Sequence, residues 1–130
     1  MEEAMRIPPE DYMGARRRRF DYAKALDLVL DTDAVLLSPT IPIDGWAPDG
    51  RVPSTGRPAT GAQGYNTDPI NLTGHPALSV PAGVNENGVP FGLQVVGPRF
   101  ADHLVLNLGE AWEAANPWPH AAAGYEPFEV

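Results

Sequence analysis

The sequence predicts a thin α/β unit of three strands and two long helices, with open sheet edges. Two observations carry this. Apolar residues recur at helical spacing near each end of the chain, and between those stretches lie three short strand-like runs. A third observation limits the size of the unit: glycine (13) and proline (15) are abundant among 130 residues, so uninterrupted elements must be short. No repeat and no linker divides the chain, and residues 1–130 are expected to form one segment with no internal boundary.

The first helix is expected from about Glu10 to Asp31. Pro8-Pro9 suits a helix entry, because a fixed φ and a missing N–H cost little in the first turn. Phe20, Ala23, Leu26 and Leu30 make the apolar stripe, widened by Tyr22 and Val29. Its charges oppose the backbone dipole, with Arg16–Arg19 in the first half and Asp27, Asp31 and Asp33 at the end. Each misplaced terminal charge costs about 0.3–1 kcal/mol, so packing rather than intrinsic preference must hold this helix. The arginine run reads as a solvated or ion-paired helix face, with Asp11 and Asp21 nearby. A site for phosphate or an acidic partner is the alternative.

Ala34-Val35-Leu36-Leu37-Ser38 is a short run without alternation, stopped by Pro39, as expected of a strand buried on both faces. From Thr40 to about Asn66 no apolar period survives, and glycine and proline punctuate the sequence. A loop this long usually carries function or is covered by another part of a protein. Trp46 within it has no local apolar partner. Thr67 to Gly74 can make one or two helical turns, closed by the glycine. Ala77–Val84 and Val89–Val96 read as an antiparallel hairpin about Asn87-Gly88, with Pro81 requiring an edge or a bulge. In the second of these strands Phe91, Leu93 and Val95 are expected to face inward, alternating with Gly92, Gln94 and Val96. The last helix is expected over Asp102–Ala115, with Asp102 as its cap. Its stripe is Leu104, Leu108, Ala111 and Ala115, broadened by Val105 and Trp112.

Composition excludes several functions. The absence of cysteine removes disulfides, thiolate metal sites and cysteine nucleophiles. A net charge of −8 argues against general binding to nucleic acid or anionic membranes. No run reaches the ~20 apolar residues of a membrane span, and Met1–Pro9 lacks the order of a secretory signal. A soluble, cytoplasmic chain is therefore expected. His75, His103 and His120 fall in different elements without metal-ligand spacing, and no metal or other cofactor is expected. His75 reads as a turn residue and His103 as a first-turn helix residue. Ser38, Ser54 and Ser79 stand outside any Gly-x-Ser-x-Gly elbow, and Lys24 is the only lysine. Ser79 lies within a strand, where its hydroxyl is expected to serve the backbone or a neighbour. The glycines from Gly56 to Gly64 lack the Gly-Lys-Ser/Thr ending of a phosphate loop.

Three segments are more specific. They are Asp33–Thr40 (DAVLLSPT), Thr67–Gly83 (TDPINLTGHPALSVPAG) and Gly88–Pro98 (GVPFGLQVVGP). Together they closely resemble the carboxyl-terminal part of amidase-signature hydrolases, and Asp102, the following helix and Pro117-Trp118-Pro119 are similar to that family's tail. The resemblance implies a partial mixed sheet with flanking helices, taken from a larger α/β fold. It implies an enzyme class that hydrolyses carboxamides to carboxylic acid and ammonia with a serine nucleophile, a second serine on a cis peptide and a lysine. That machinery belongs upstream of the matched region and has no counterpart here, and Lys24 is not in the family's lysine context. No catalytic residue is therefore assigned, and the chain is expected to be inactive alone. It reads as the closing third or so of an amidase, whether split, truncated or expressed as a fragment.

In the family the segments after Pro39-Thr40 and over Thr67–Asn71 approach the substrate cleft. This makes Trp46, Thr67 and Asn71 candidates for pocket wall or support, with a plain loop-tying role as the alternative for Thr67 and Asn71. The branch that transfers ammonia to charged transfer RNA carries an acid shortly before this segment. Gln63-Gly64-Tyr65-Asn66 has none, which favours a general amidase. The expected partners are an amino-terminal amidase portion or a second copy, with a small amide as substrate only in the complete enzyme. The alternative function is a non-catalytic assembly or binding module on the same scaffold. A third reading is a stand-alone hydrolase using Ser79 or Ser38 with a histidine.

Overall fold

The computed structural model describes residues 6–59, 61, 64–86 and 88–119. Gln63, Asn87 and His120 lie outside the described residues. The elements run α1 (Pro9–Leu30), β1 (Leu36–Pro39), α2 (Asp68–Thr73), β2 (Ala77–Val84), β3 (Pro90–Val96) and α3 (Asp102–Ala115). The sheet order is β1-β3-β2, and both pairings within this partial sheet are antiparallel.

Helix α1 enters at Pro8 with Pro9 in its first turn, and no side chain caps it. Glu10 and Asp11 complement the dipole at that end, while the last turn holds no basic residue. Packing must therefore supply what the carboxyl end lacks. The buried residues are Ala23, Leu26 and Leu30, and Leu26 and Leu30 join Ile70 of α2 and Val96 of β3 in the core cluster. The wider stripe read from the sequence is not used. Phe20 is 63% exposed, and Tyr22 and Val29 are also exposed. Docking against the short α2 covers only a narrow band of the helix, so the flanks of the stripe stay bare.

β1 also departs from expectation. Leu36 and Leu37 are exposed, because among the described residues the strand pairs only with β3 and forms an edge of the sheet. The hairpin matches: β2 pairs β3 in register from Ala77↔Val96, and the register shifts between Pro81 and Gly83, where the proline required a bulge. Gly83 takes φ +141° there, and a Cβ on it would press against the Phe91 ring. Asn85 closes the turn. Its side-chain oxygen accepts from Val89 N–H (2.9 Å) and its carbonyl from Gly88 N–H (2.9 Å), with Gly88 at φ +76°.

The simple in–out alternation of β3 fails. Gln94, Val95 and Val96 are all buried while Phe91 is exposed. The carboxyl half of this central strand is covered on both faces. Val96 faces α1 and α2, while Val95 lies beside Leu78, whose Cδ2 occupies the space over Gly109 of α3. Gln94 is tolerated inside because its Nε2 donates to Ser38 Oγ (3.2 Å) and Asn66 O (3.0 Å).

Helix α3 has Ala101 and not Asp102 as its N-cap, and Asp102 sits in the first turn without capping. Its buried residues are Val105 and Gly109, whereas Leu108, Ala111 and Ala115 are exposed. The contact face is rotated because two glycines permit close approach, Gly109 beneath Leu78 and Gly97 beneath Val105. Trp112 completes it by donating Nε1–H to the Pro81 carbonyl at the bulge (2.8 Å).

A polar contact ties three parts of the chain together. His75, between α2 and β2, has a fully buried side chain with Nε2 3.1 Å from Asp27 Oδ1 of α1. Arg99, between β3 and α3, donates from Nη2 to Asp27 Oδ2 at 3.0 Å. The His75 contact is an ion-pair distance without hydrogen-bond alignment, and Nδ1 has no partner among the described residues. His75, in the turn after α2, is thus also a packed tether.

Candidate functional site

The long loop after β1 is organised by its own polar groups. Asp44 accepts from both Ser54 N–H and Ser54 Oγ (3.0 Å each), and its carbonyl accepts from Asn85 Nδ2 (3.3 Å). Ala47 N–H donates to Arg51 O, and Arg51 bridges Pro58. These contacts fold the loop against the hairpin and leave Trp46 51% exposed. Trp46 lines a cleft of about 860 Å³ together with Ile41, Ile43, Val89 and Phe91.

Thr67 and Asn71 stand at the start of α2. The Thr67 carbonyl accepts the first helical bonds from Ile70 and Asn71 N–H, and Gly74 closes the helix in the left-handed region at φ +73°. Both residues line a second cleft of about 430 Å³ with Thr40, His75, Ser79 and Gln94. Neither side chain makes a hydrogen bond among the described residues. The side chain that ties loop backbone here is Asn66, which donates from Nδ2 to Pro39 O at 2.7 Å. The structure therefore groups Thr67 with Asn71 and sets Trp46 in a neighbouring hollow.

The wall between the two clefts joins Ser79, whose hydroxyl is expected from the sequence to serve the backbone or a neighbour, to Thr40, which spacing alone does not place beside it. Thr40 Oγ1 and Ser79 Oγ lie 2.6 Å apart in an exposed hydroxyl pair, and both residues line both clefts. They meet because Gly92 lies beneath them; a Cβ there would stand 2.8 Å from each hydroxyl oxygen. The only available signal was register, since Ser38, Gln94 and Ser79 align across three strands. Ser79 indeed serves a neighbour. Among the described residues neither Ser79 nor Ser38 bonds a histidine, and Lys24 lines neither cleft. No nucleophile–base pair is assembled among them.

Comparison with known proteins agrees with this geometry. Residues 4–106 match the family model described as Amidase. A glutamyl-tRNA(Gln) amidotransferase subunit of Haloarcula marismortui is 40% identical over 101 residues, covering 77% of this chain and 23% of that protein. A solved bacterial aryl acylamidase of the amidase-signature enzymes superposes with a TM-score of 0.70 at 28% identity, over 90% of this chain and 25% of that one. The solved glutamyl-tRNA(Gln) amidotransferase subunit of Thermotoga maritima gives 0.66 at 33% identity, over 82% and 23%. The chain thus spans about a quarter of the length of these relatives. No helix among the described residues is long and apolar enough to cross a membrane. With its family segments folded as they are in solved relatives, the chain belongs to the amidase family.

Proposed function

We propose that this chain supplies scaffold and cleft wall to an amidase that hydrolyses a carboxamide to carboxylic acid and ammonia. The nucleophilic serine, the second serine and the lysine come from polypeptide outside these residues. One observation carries the reading: a family match over residues 4–106 accompanies two clefts that contain no nucleophile–base pair among the described residues. Acyl transfer draws most of its rate from an activated nucleophile and preorganised oxyanion donors, so a chain without them is inactive alone. Within the completed site, Trp46, Thr67 and Asn71 form pocket wall. The polypeptide that completes it is an amino-terminal amidase portion.

Among the described residues the outer edges of β1 and β2 are unpaired, which supports a second reading, in which the scaffold acts as a non-catalytic assembly module. In that reading a second copy of the chain occupies the same edges.

A graft separates the two. Residues 6–119 replace the corresponding quarter of the solved aryl acylamidase, and anilide hydrolysis is measured with circular dichroism as the folding control. The enzyme reading expects a folded graft that turns over substrate, where the host lacking this quarter does not. A graft that folds cooperatively but shows no turnover contradicts it and favours the assembly role.

A further inference from the structure

Helix α1 is far longer than the element that covers it. Its 22 residues span roughly 33 Å, against roughly 9 Å for the six of α2. The buried stripe is Ala23, Leu26 and Leu30. The same spacing of three and four carries that stripe back through Arg19 and Arg16 to Tyr12, with Ala15 and Tyr22 beside it. All five of these residues are exposed. The helix thus presents one continuous face, its carboxyl half docked on α2 and the sheet and its amino half open among the described residues.

The open half borders a hollow of about 600 Å³, lined also by Arg18 and by Leu72 of α2. Two of its arginines are held in place. The Arg16 guanidinium lies over the Tyr12 ring, 6.0 Å from its centroid, and Arg19 donates Nε–H to the Leu72 carbonyl. Among the described residues none of Arg16–Arg19 meets a carboxylate, and Asp11 and Asp21 pair with none of them. Four of the nine lysines and arginines therefore stand side by side and uncompensated, in a chain of net charge −8. Like charges three apart on a helix repel, and an acid from outside would relieve that repulsion.

Tyrosine and arginine are the residue types that anchor protein interfaces. Here the hollow can take an apolar side chain while the guanidinium forks take carboxylates. A nucleic acid or polyphosphate fits less well. Phosphates would leave Tyr12, Tyr22 and Leu72 unfilled, and a chain of this charge repels a long polyanion. We propose that the amino half of α1 docks an acidic segment of another polypeptide, with an aromatic side chain seated against Tyr12, Tyr22 and Leu72 and carboxylates on Arg16, Arg18 and Arg19. No described α1 residue lines either cleft, so the proposal does not rest on the reading of those clefts.

Fluorescence anisotropy on the full 130-residue chain tests this, with a labelled copolymer of glutamate and tyrosine as the probe. The copolymer is expected to bind, to weaken as salt rises, and to bind about fivefold or more tightly than polyglutamate of equal charge. Arg18→Gln is expected to lower its affinity about two- to fivefold. Arg17→Gln, in the same run but not lining the hollow, should lower it by less than about twofold. Tyr22→Ala is expected to cost about fivefold or more. All three side chains are exposed, and circular dichroism checks that each variant keeps its fold. Equal losses at Arg17 and Arg18 would reduce the binding to diffuse charge and overturn the proposal. So would heparin or polyphosphate binding as tightly as the copolymer, or the copolymer failing to bind. A dimer in light scattering that Arg18→Gln disperses would also overturn it, by seating a second copy on this face.

Discussion

Leu30→Ala is expected to destabilise the chain by about 2–5 kcal/mol, the cost of deleting most of a buried leucine and leaving a cavity. Leu30 is 1% exposed and belongs to a cluster of four that holds α1, α2 and the sheet together. A chain of this size has roughly 5–15 kcal/mol of stability in all, so the loss is a large fraction of it. The carboxyl end of α1 gives no reserve, since its last turn has no cation. Urea unfolding followed by circular dichroism measures the effect as a lower midpoint at unchanged slope. Phe20→Ala is the internal comparison: at 63% exposure that ring touches little, and its loss is expected to stay within about 0.5 kcal/mol. Equal effects at the two positions would mean that α1 docks by the broad stripe and not by the narrow band.

The second large effect is expected at Gly97. An added Cβ would lie 2.5 Å from Val105 Cγ2 and within contact of Pro76, at the point where α3 meets the sheet. Overpacking of this kind costs about 1–3 kcal/mol. Gly97 N–H also donates to Pro76 O at 2.9 Å, so the backbone has little freedom to withdraw. The origin of the cost can be isolated. Val105→Ala removes the methyl that the new Cβ meets, and Gly97→Ala with Val105→Ala is expected to be less destabilised than the two singles summed, by about 0.5–3 kcal/mol. Strict additivity would show that the glycine serves some other purpose.

Both predictions turn on features only partly legible in the sequence. Turn chemistry was readable because it is local. Gly74 ends α2 in the left-handed region, Pro81 brings a bulge, and Gly88 lies in the hairpin turn at positive φ. Burial was less readable, because it depends on what arrives from elsewhere in the chain. Periodicity marked six residues on α1 but could not say that a six-residue helix would cover only Ala23, Leu26 and Leu30. On α3 the face was set by two glycines, which carry no hydropathy signal. Gln94 reads as an outward residue until Ser38 and Asn66 supply its partners.

The site divides in the same way. Thr67 and Asn71, four residues apart on one helical turn, are expected together and are found together. Trp46 occupies the adjoining hollow, and the hydroxyl pair that separates them joins residues 39 apart in sequence. His75 becomes a tether only when α1 brings Asp27 to it. Such juxtapositions arise from strand register and helix docking, which no single segment encodes.

In the proposed function these residues wall a cleft whose bond-breaking groups lie on other polypeptide. Ammonia release by the purified 130-residue chain, assayed on simple aliphatic and aryl amides, addresses that directly. The expected rate is that of buffer alone. Turnover above it, abolished by Ser79→Ala or Ser38→Ala, would contradict the account and establish a self-sufficient hydrolase.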